Sequence, residues 1–312
     1  MAGLRAEHIP ETSSESSTIL ATLGFLAEAP IYRTEKPFAI VGLPEGEVPD
    51  DQKTNLIYEF KPSVPVTDAR SLAPPEPLSL DANGFTWIRH RSSHLVDTRP
   101  FTSVSDDRGT VDAFLQETIN MTKEAADASV AYVYDWRYRK SESTYNNRDF
   151  GEGVKNTRYV TLAPIGHVHV DFSYQGGLDC VYHHLTGSEL EGYLAQKRRI
   201  RLINAWRPLR RVQRDALGVC DRRSVRPEDV LEVDKVLPNN VELETYIYHR
   251  PHHKWYYMSE QTPEDVLLFV QWEEHQPSKE IAGVPHATLR GPQATFGEEA
   301  RESLEVRMIV IS

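Results

Sequence analysis

The chain has 312 residues, 39% hydrophobic and 26% charged, an ordinary balance for a protein that buries a substantial core. Its 46 acidic residues outweigh 35 basic ones and leave a net charge of −11 at pH 7, which argues against nucleic-acid binding, a task that needs a basic face. Two cysteines, Cys180 and Cys220, cannot build a disulfide framework, and no apolar run approaches the ~20 residues of a membrane helix. A cytoplasmic protein with a small-molecule partner, and neither nucleic acid nor membrane, is the expectation.

Residues 1–18 read as a flexible polar tail, because SSESS cannot contribute to a core. The rest, 19–312, is expected to form a single domain with an N-terminal arm over 19–100 and a core over 101–312. In the arm, TILATLGFLAEAPIY predicts a short helix ending at Pro30. PEGEVPD and LAPPEPLSLD then mark turns around the strand NLIYEF, whose aromatic edge could pair across a homodimer. TVDAFLQETINMTKEAADA is the clearest helix, with Val111, Phe114, Leu115 and Ile119 at helical spacing and Asp106 or Asp107 favouring its start. The strand-like ASVAYVYDW follows. A second helix, SELEGYLAQKRRI, opens with Ser188 and Glu191 in capping-box spacing.

Beyond that helix the chain turns strongly β. RIRLINAWRPL, VELETYIYH, KWYYMS, DVLLFVQWE and SLEVRMIVIS are short β-branched or aromatic runs between turn signals. Several strands without long intervening helices predict a mainly β fold, a double-stranded β-helix or jelly-roll barrel with flanking α-helices.

The chemistry concentrates at GHVHVDFSYQGG. On a strand, His167, His169 and Asp171 share one face while Val168, Val170 and Phe172 point the other way. The H-x-D pair His169 and Asp171 can span one edge of a metal ion, and a distant histidine would complete the two-histidine, one-carboxylate triad of non-haem Fe(II). Alone, H-x-D is more often a hydrogen-bonded polar pair than a metal site. Two groups could supply the third ligand: His286, or the cluster His249, His252 and His253 in RPHHKWYY. His286 is favoured because Arg301 and Ser303 follow it on the last strand, sharing a face where guanidinium and hydroxyl can grip one carboxylate. That is what a 2-oxoglutarate site needs.

The chain resembles the fungal and bacterial secondary-metabolite oxygenases grouped as AsaB-like hydroxylase/desaturases or gibberellin-desaturase-like proteins. The resemblance covers about residues 80 to 312. It is carried by GF-x-W near Phe85, HVDFS at His169, NAWRPL at Asn204, LGVCDRRSV, ETYIYHRPHHKWYYMSEQTPEDVLLF, and PHATL followed by RESLEVR. After PHAT the chain reads LRGP where the family carries a Phe-x-Asp-Pro turn. The resemblance implies a dioxygenase that uses Fe(II), 2-oxoglutarate and O2, with His169, Asp171 and His286 as iron ligands and Arg301, seconded by Ser303, on the cosubstrate carboxylate. Hydroxylation, desaturation, cyclisation or peroxidation of a small secondary metabolite would follow.

Asn204 is a further candidate for contacting the cosubstrate, Trp206 for walling the substrate and His167 for lining its pocket. Arg307 is either a second anion contact or the partner of a buried acid such as Glu305 or Glu244. Two rival functions remain in view, a 2-oxoacid-independent iron oxidase and a non-catalytic jelly-roll subunit. A zinc hydrolase is weaker, since no carboxylate base is marked out beside the ligands.

Overall fold

The computed structural model describes residues 17–43, 46–72, 78–95, 101, 108–142, 161–274, 281–295 and 297–312. Fourteen strands among them form two sheets. The larger runs in the order β1 (Thr18–Leu26), β3 (Tyr58–Asp68), β11 (Trp255–Tyr257), β8 (Leu217–Cys220), β13 (His286–Thr288), β6 (His169–Val170), β10 (Asn240–Ile247), β9 (Val230–Leu237) and β2 (Phe38–Ile40). The smaller runs β4 (Phe85–Arg89), β12 (Asp265–Glu273), β7 (Ile200–Pro208), β14 (Glu302–Ile311) and β5 (Val130–Lys140). Phe25, Val219 and Trp255 of the larger sheet meet Trp206, Leu267 and Phe269 of the smaller in one core cluster. This is the jelly-roll arrangement expected, two sheets closed face to face over apolar side chains.

The smaller sheet is buried on both faces because α1 (Arg108–Ala125) covers its outside. Phe114 and Met121 of α1 pack with Ile203 and Ala205 of β7 and Leu304, Val306 and Met308 of β14. Strand alternation therefore turns Asn204 and Trp206, and likewise Glu305 and Arg307, toward the space between the sheets. That alternation is how a strand with every residue buried still carries polar side chains to a site. At one end, α2 (Tyr174–His184) and α3 (Gly187–Ala195) pack against Leu202, Trp272 and Ile309. The start of α2 comes so close that a Cβ on Gly176 would lie 2.2 Å from the Leu243 carbonyl oxygen.

Two expectations are corrected. TILATLGFL is β1, not a helix: Ala21, Leu23 and Phe25 are buried at period 2, and the segment pairs antiparallel with β3. Sheet pairing overrides the helical preference of its leucines and alanines, and Gly24, poor in helices, weakens that preference. The capping box of α3 is Thr186 with Glu189, two residues ahead of the Ser188–Glu191 pair. α2 had no predicted counterpart; His183 and His184 end it, just ahead of α3. Asp106, Asp107 and most of the polar tail lie outside the described residues. Within the LIYEF arm, Ile57 and Phe60 are about half exposed.

Candidate active site

Strand register brings the distant ligands together. The two-residue β6 is held between β10 and β13, with His169 opposite Tyr246 on one side and His286 on the other. Asp171 follows directly, its backbone N–H donating to Gln271 Oε1 at 3.0 Å. One ligand atom from each of His169, Asp171 and His286 lies within 4.8 Å of the other two. The imidazole centroids are 4.4 Å apart, and His286 sits edge-on to Phe269.

The tautomers follow from the hydrogen bonds. His169 Nδ1 faces the His167 carbonyl at 2.8 Å and His286 Nδ1 faces the Val284 carbonyl at 3.1 Å. A carbonyl only accepts, so each Nδ1 carries the proton and each Nε2 keeps its lone pair. His169 Nε2 lies 3.5 Å from Asp171 Oδ1. A lone pair and a carboxylate oxygen buried face to face repel unless a cation stands between them. Burial, helped by His169, pushes His286 down to about 4, so its ring is neutral at pH 7. Burial pushes the Asp171 carboxyl up, yet the Arg307 guanidinium and the two imidazoles outweigh it and hold the group well below the ordinary range. Two imidazoles that can present Nε2 and one carboxylate suit a divalent first-row metal.

Beside this cluster lies a narrow cleft lined by Trp206, Leu217, Thr288, Arg301 and Glu305, with His169, Asp171 and His286 at its inner end. Arg301 is buried, donates from Nη1 to the Asp215 carbonyl at 2.6 Å, and lies over the Trp206 ring at 5.5 Å. Its Nε has no partner, and among the described residues it pairs with no carboxylate. Burial, assisted by the neighbouring Arg139 charge, pushes its guanidinium down to about 10, still protonated at pH 7. A buried cation without an anion, with a hydroxyl (Thr288 Oγ1) 3.5 Å away, is a place for an acid. Ser303 Oγ is also buried without a partner, although Ser303 does not line the cleft.

The cluster also borders a cavity of about 970 Å³. His169, Asp171, Arg139 and Ile165 border both spaces. His167 lines the cavity and stacks on Tyr58 with centroids 3.7 Å apart. Trp206 does not reach it, so it walls the cleft and not the larger chamber. Asn204 is placed differently from expectation: its Nδ2 donates to Asp171 Oδ2 at 3.0 Å and Glu305 Oε1 at 2.6 Å, so it holds the carboxylate of the cluster. Arg307 pairs with Asp171 at 3.3 Å as well as with Glu305, while Glu244 is bound by Lys235.

The rival histidines form a second cluster. His252 and His253 contact Asp229 Oδ2 through Nε2 at 2.9 and 3.1 Å, separate from the first group. His249 instead sits edge-on to Phe25. The sequence reading missed Thr288, Arg139 and the inward role of Glu305. Arg139 and Glu305 carried a signal, alternation with Arg137 and Arg307 along their strands. Thr288 carried none.

The family described as an oxidoreductase/YMDC permease-like domain matches residues 25–311. Hydroxylase/desaturase CTB9 of Cercospora beticola is 29% identical over 246 residues, 74% of this chain and 71% of that protein. Hydroxylase/desaturase efuI of Hormonema carpetanum is 28% identical over 312 residues, 95% and 96% of the two chains. The alpha-ketoglutarate-dependent dioxygenase phiK of a fungal species is 27% identical over 86% of this chain and 91% of its own. Among solved structures, the iron and alpha-ketoglutarate-dependent endoperoxidase NvfI superposes with a TM-score of 0.75 at 21% identity, over 95% of this chain and 98% of that one. At that identity the likeness speaks to the fold.

Proposed function

The chain belongs to the oxidoreductase/YMDC permease-like domain family, and from that premise we propose that it is an Fe(II)- and 2-oxoglutarate-dependent oxygenase of a small secondary metabolite. The observation that carries this reading is the convergence of two imidazole lone pairs and a carboxylate beside a buried, acid-free arginine. Relatives named as an alpha-ketoglutarate-dependent dioxygenase and as hydroxylase/desaturases support it.

His169, Asp171 and His286 would hold the ferrous ion. When bound, iron with O2 and 2-oxoglutarate supplies the oxidising power, the cosubstrate leaving as succinate and carbon dioxide. The protein's part is placement. The Arg301 guanidinium, over Trp206 and next to the Thr288 hydroxyl, binds the far carboxylate of 2-oxoglutarate at the closed end of the cleft. Each Nδ1–H bond to a backbone carbonyl fixes ring orientation and keeps Nε2 free. The metabolite occupies the larger cavity against His167 and the cosubstrate the cleft beside Arg301, so the two ligands meet at the cluster without filling one space. No helix among the described residues is long and apolar enough to cross a membrane, and both cysteines are free, features that accord with work in the cytoplasm on a diffusible substrate.

The test is anaerobic addition of Fe(II) and then 2-oxoglutarate to the full chain, followed by O2. A visible charge-transfer absorption, and then succinate in equal amount to 2-oxoglutarate consumed, is expected. Metal binding with neither absorption nor succinate would move the protein to the 2-oxoacid-independent oxidases.

A further inference from the structure

We propose that Arg307 and Asn204 form a clamp on Oδ2 of Asp171, so that this carboxylate offers a metal only Oδ1. The proposal rests on the oxygenase reading above and extends it to how many positions around the metal stay open. Oδ2 accepts from Asn204 Nδ2 at 3.0 Å and lies 3.3 Å from Arg307 Nη2. Oδ2 thus meets one hydrogen-bond donor and one guanidinium charge. Among the described residues no donor reaches Oδ1, which faces His169 Nε2 instead.

The clamp is built by register. Arg307 stands directly across from Asn204 in the β14–β7 pairing, so both reach the same oxygen from neighbouring strands. Glu305 ties the two donors together: its Oε1 accepts from Asn204 Nδ2 at 2.6 Å and from Arg307 Nε at 3.3 Å. Its Oε2 in turn lies 3.4 Å from Arg139 Nε. The Asn204 amide has one tenable orientation, because a flip would set its oxygen against two carboxylates. Asn204, Glu305 and Arg139 are all buried, so none of these bonds competes with bulk water.

One carboxylate oxygen and two imidazoles would leave a bound metal with positions free for a keto-acid chelate and for O2. A second oxygen from Asp171 would take a position the cosubstrate needs. Arg307 and Asn204 are therefore positioning residues that act through Asp171, and their loss should weaken cosubstrate chelation more than metal binding.

The experiment compares the full chain with Asn204→Ala, Arg307→Gln and Arg307→Lys. Each is loaded anaerobically with Fe(II), metal affinity is measured, and 2-oxoglutarate is titrated against the charge-transfer absorption. In Asn204→Ala and Arg307→Gln the concentration for half-maximal absorption should rise ~10-fold or more, while metal affinity changes by less than ~3-fold. Arg307→Lys should recover part of that loss. Unaltered cosubstrate titration in both Asn204→Ala and Arg307→Gln overturns the clamp. Parallel loss of metal, cosubstrate and thermal stability also overturns it, since that is what a merely structural role produces. A wild-type chain that binds Fe(II) without the absorption overturns the oxygenase reading, and the clamp with it.

Discussion

Among the described residues stand two groups of two histidines and an aspartate, and their hydrogen bonds are opposite in sense. Around Asp171 both imidazoles spend their Nδ1 protons on backbone carbonyls, and both Nε2 lone pairs are left to converge. Around Asp229 both imidazoles turn Nε2 toward a carboxylate, so Nε2 carries the proton. Asp229 Oδ2 also accepts from the Arg226 N–H at 2.9 Å, and Arg250 Nε donates to Oδ1 at 3.0 Å. The carboxylate of the second group is thus met by ring N–H, backbone N–H and guanidinium donors. The first group instead gathers acceptors without a donor among them. Proximity of ligand-type residues is therefore a poor guide to metal binding until the proton on each ring has been placed.

The sharpest way to break this contrast is a pair of substitutions. Asp171→Ala should abolish retention of Fe(II) and all O2-dependent succinate formation, read by metal analysis and product assay. Asp229→Ala should leave the metal-to-protein ratio and succinate formed per bound iron unchanged. It should instead lower stability by ~3 kcal/mol in urea unfolding, because the buried His253, the partly exposed His252 and Arg250 Nε lose their acceptor. Metal loss in the Asp229 variant would erase the distinction.

A smaller effect is expected at the neighbouring cleft. Arg301→Ala removes the cation without touching a metal ligand. The 2-oxoglutarate requirement should rise ~100-fold, about 3 kcal/mol, while Fe(II) affinity holds. An unchanged requirement would mean that the acid is gripped elsewhere.

The mildest prediction concerns acid. Burial pushes His253 down to about 4 despite the neighbouring Asp229 carboxylate. As pH falls below the ordinary value of about 6.5, the unfolded chain takes up this proton before the folded one. Its contribution is thus fully present above pH 6.5 and declines as the pH drops toward 4, by ~2 kcal/mol at pH 5. Urea midpoints of the wild type and His253→Gln at pH 7 and pH 5 should show a shallower decline in the variant. Equal slopes would assign the acid sensitivity to other groups.

How much of this was legible in the sequence varies with the kind of interaction. The H-x-D pair and the late His286 could be read because strand alternation and ligand chemistry are local rules, and the structure brings those residues together. The strands of TYIYH, LLFVQW and VRMIVI were equally plain, each a β-branched or aromatic run. The reading failed where a partner decides the outcome. TILATLGFL is a strand only because β3 lies beside it. Asn204 binds the Asp171 carboxylate and not the cosubstrate cleft because β14 sets Arg307 and Glu305 next to it, a register no single segment reveals. The exclusion of His252 and His253 needed proton placement, which requires knowing what each ring nitrogen faces. The segment centred on α2 was missed for a compositional reason: YQGGLDCVYHH holds two glycines, poor helix formers, kept there by close packing on Leu243 and Trp272.

Strand β14 lies inside its sheet, flanked by β7 and β5, although both neighbours precede it by a long stretch of chain. During synthesis β5 and β7 must therefore wait, each with an open edge, until their common neighbour emerges. A growing chain stalled short of that point exposes two sticky ladders at once. Yield in a foreign host should accordingly depend on translation speed and on chaperones that shield unpaired strands.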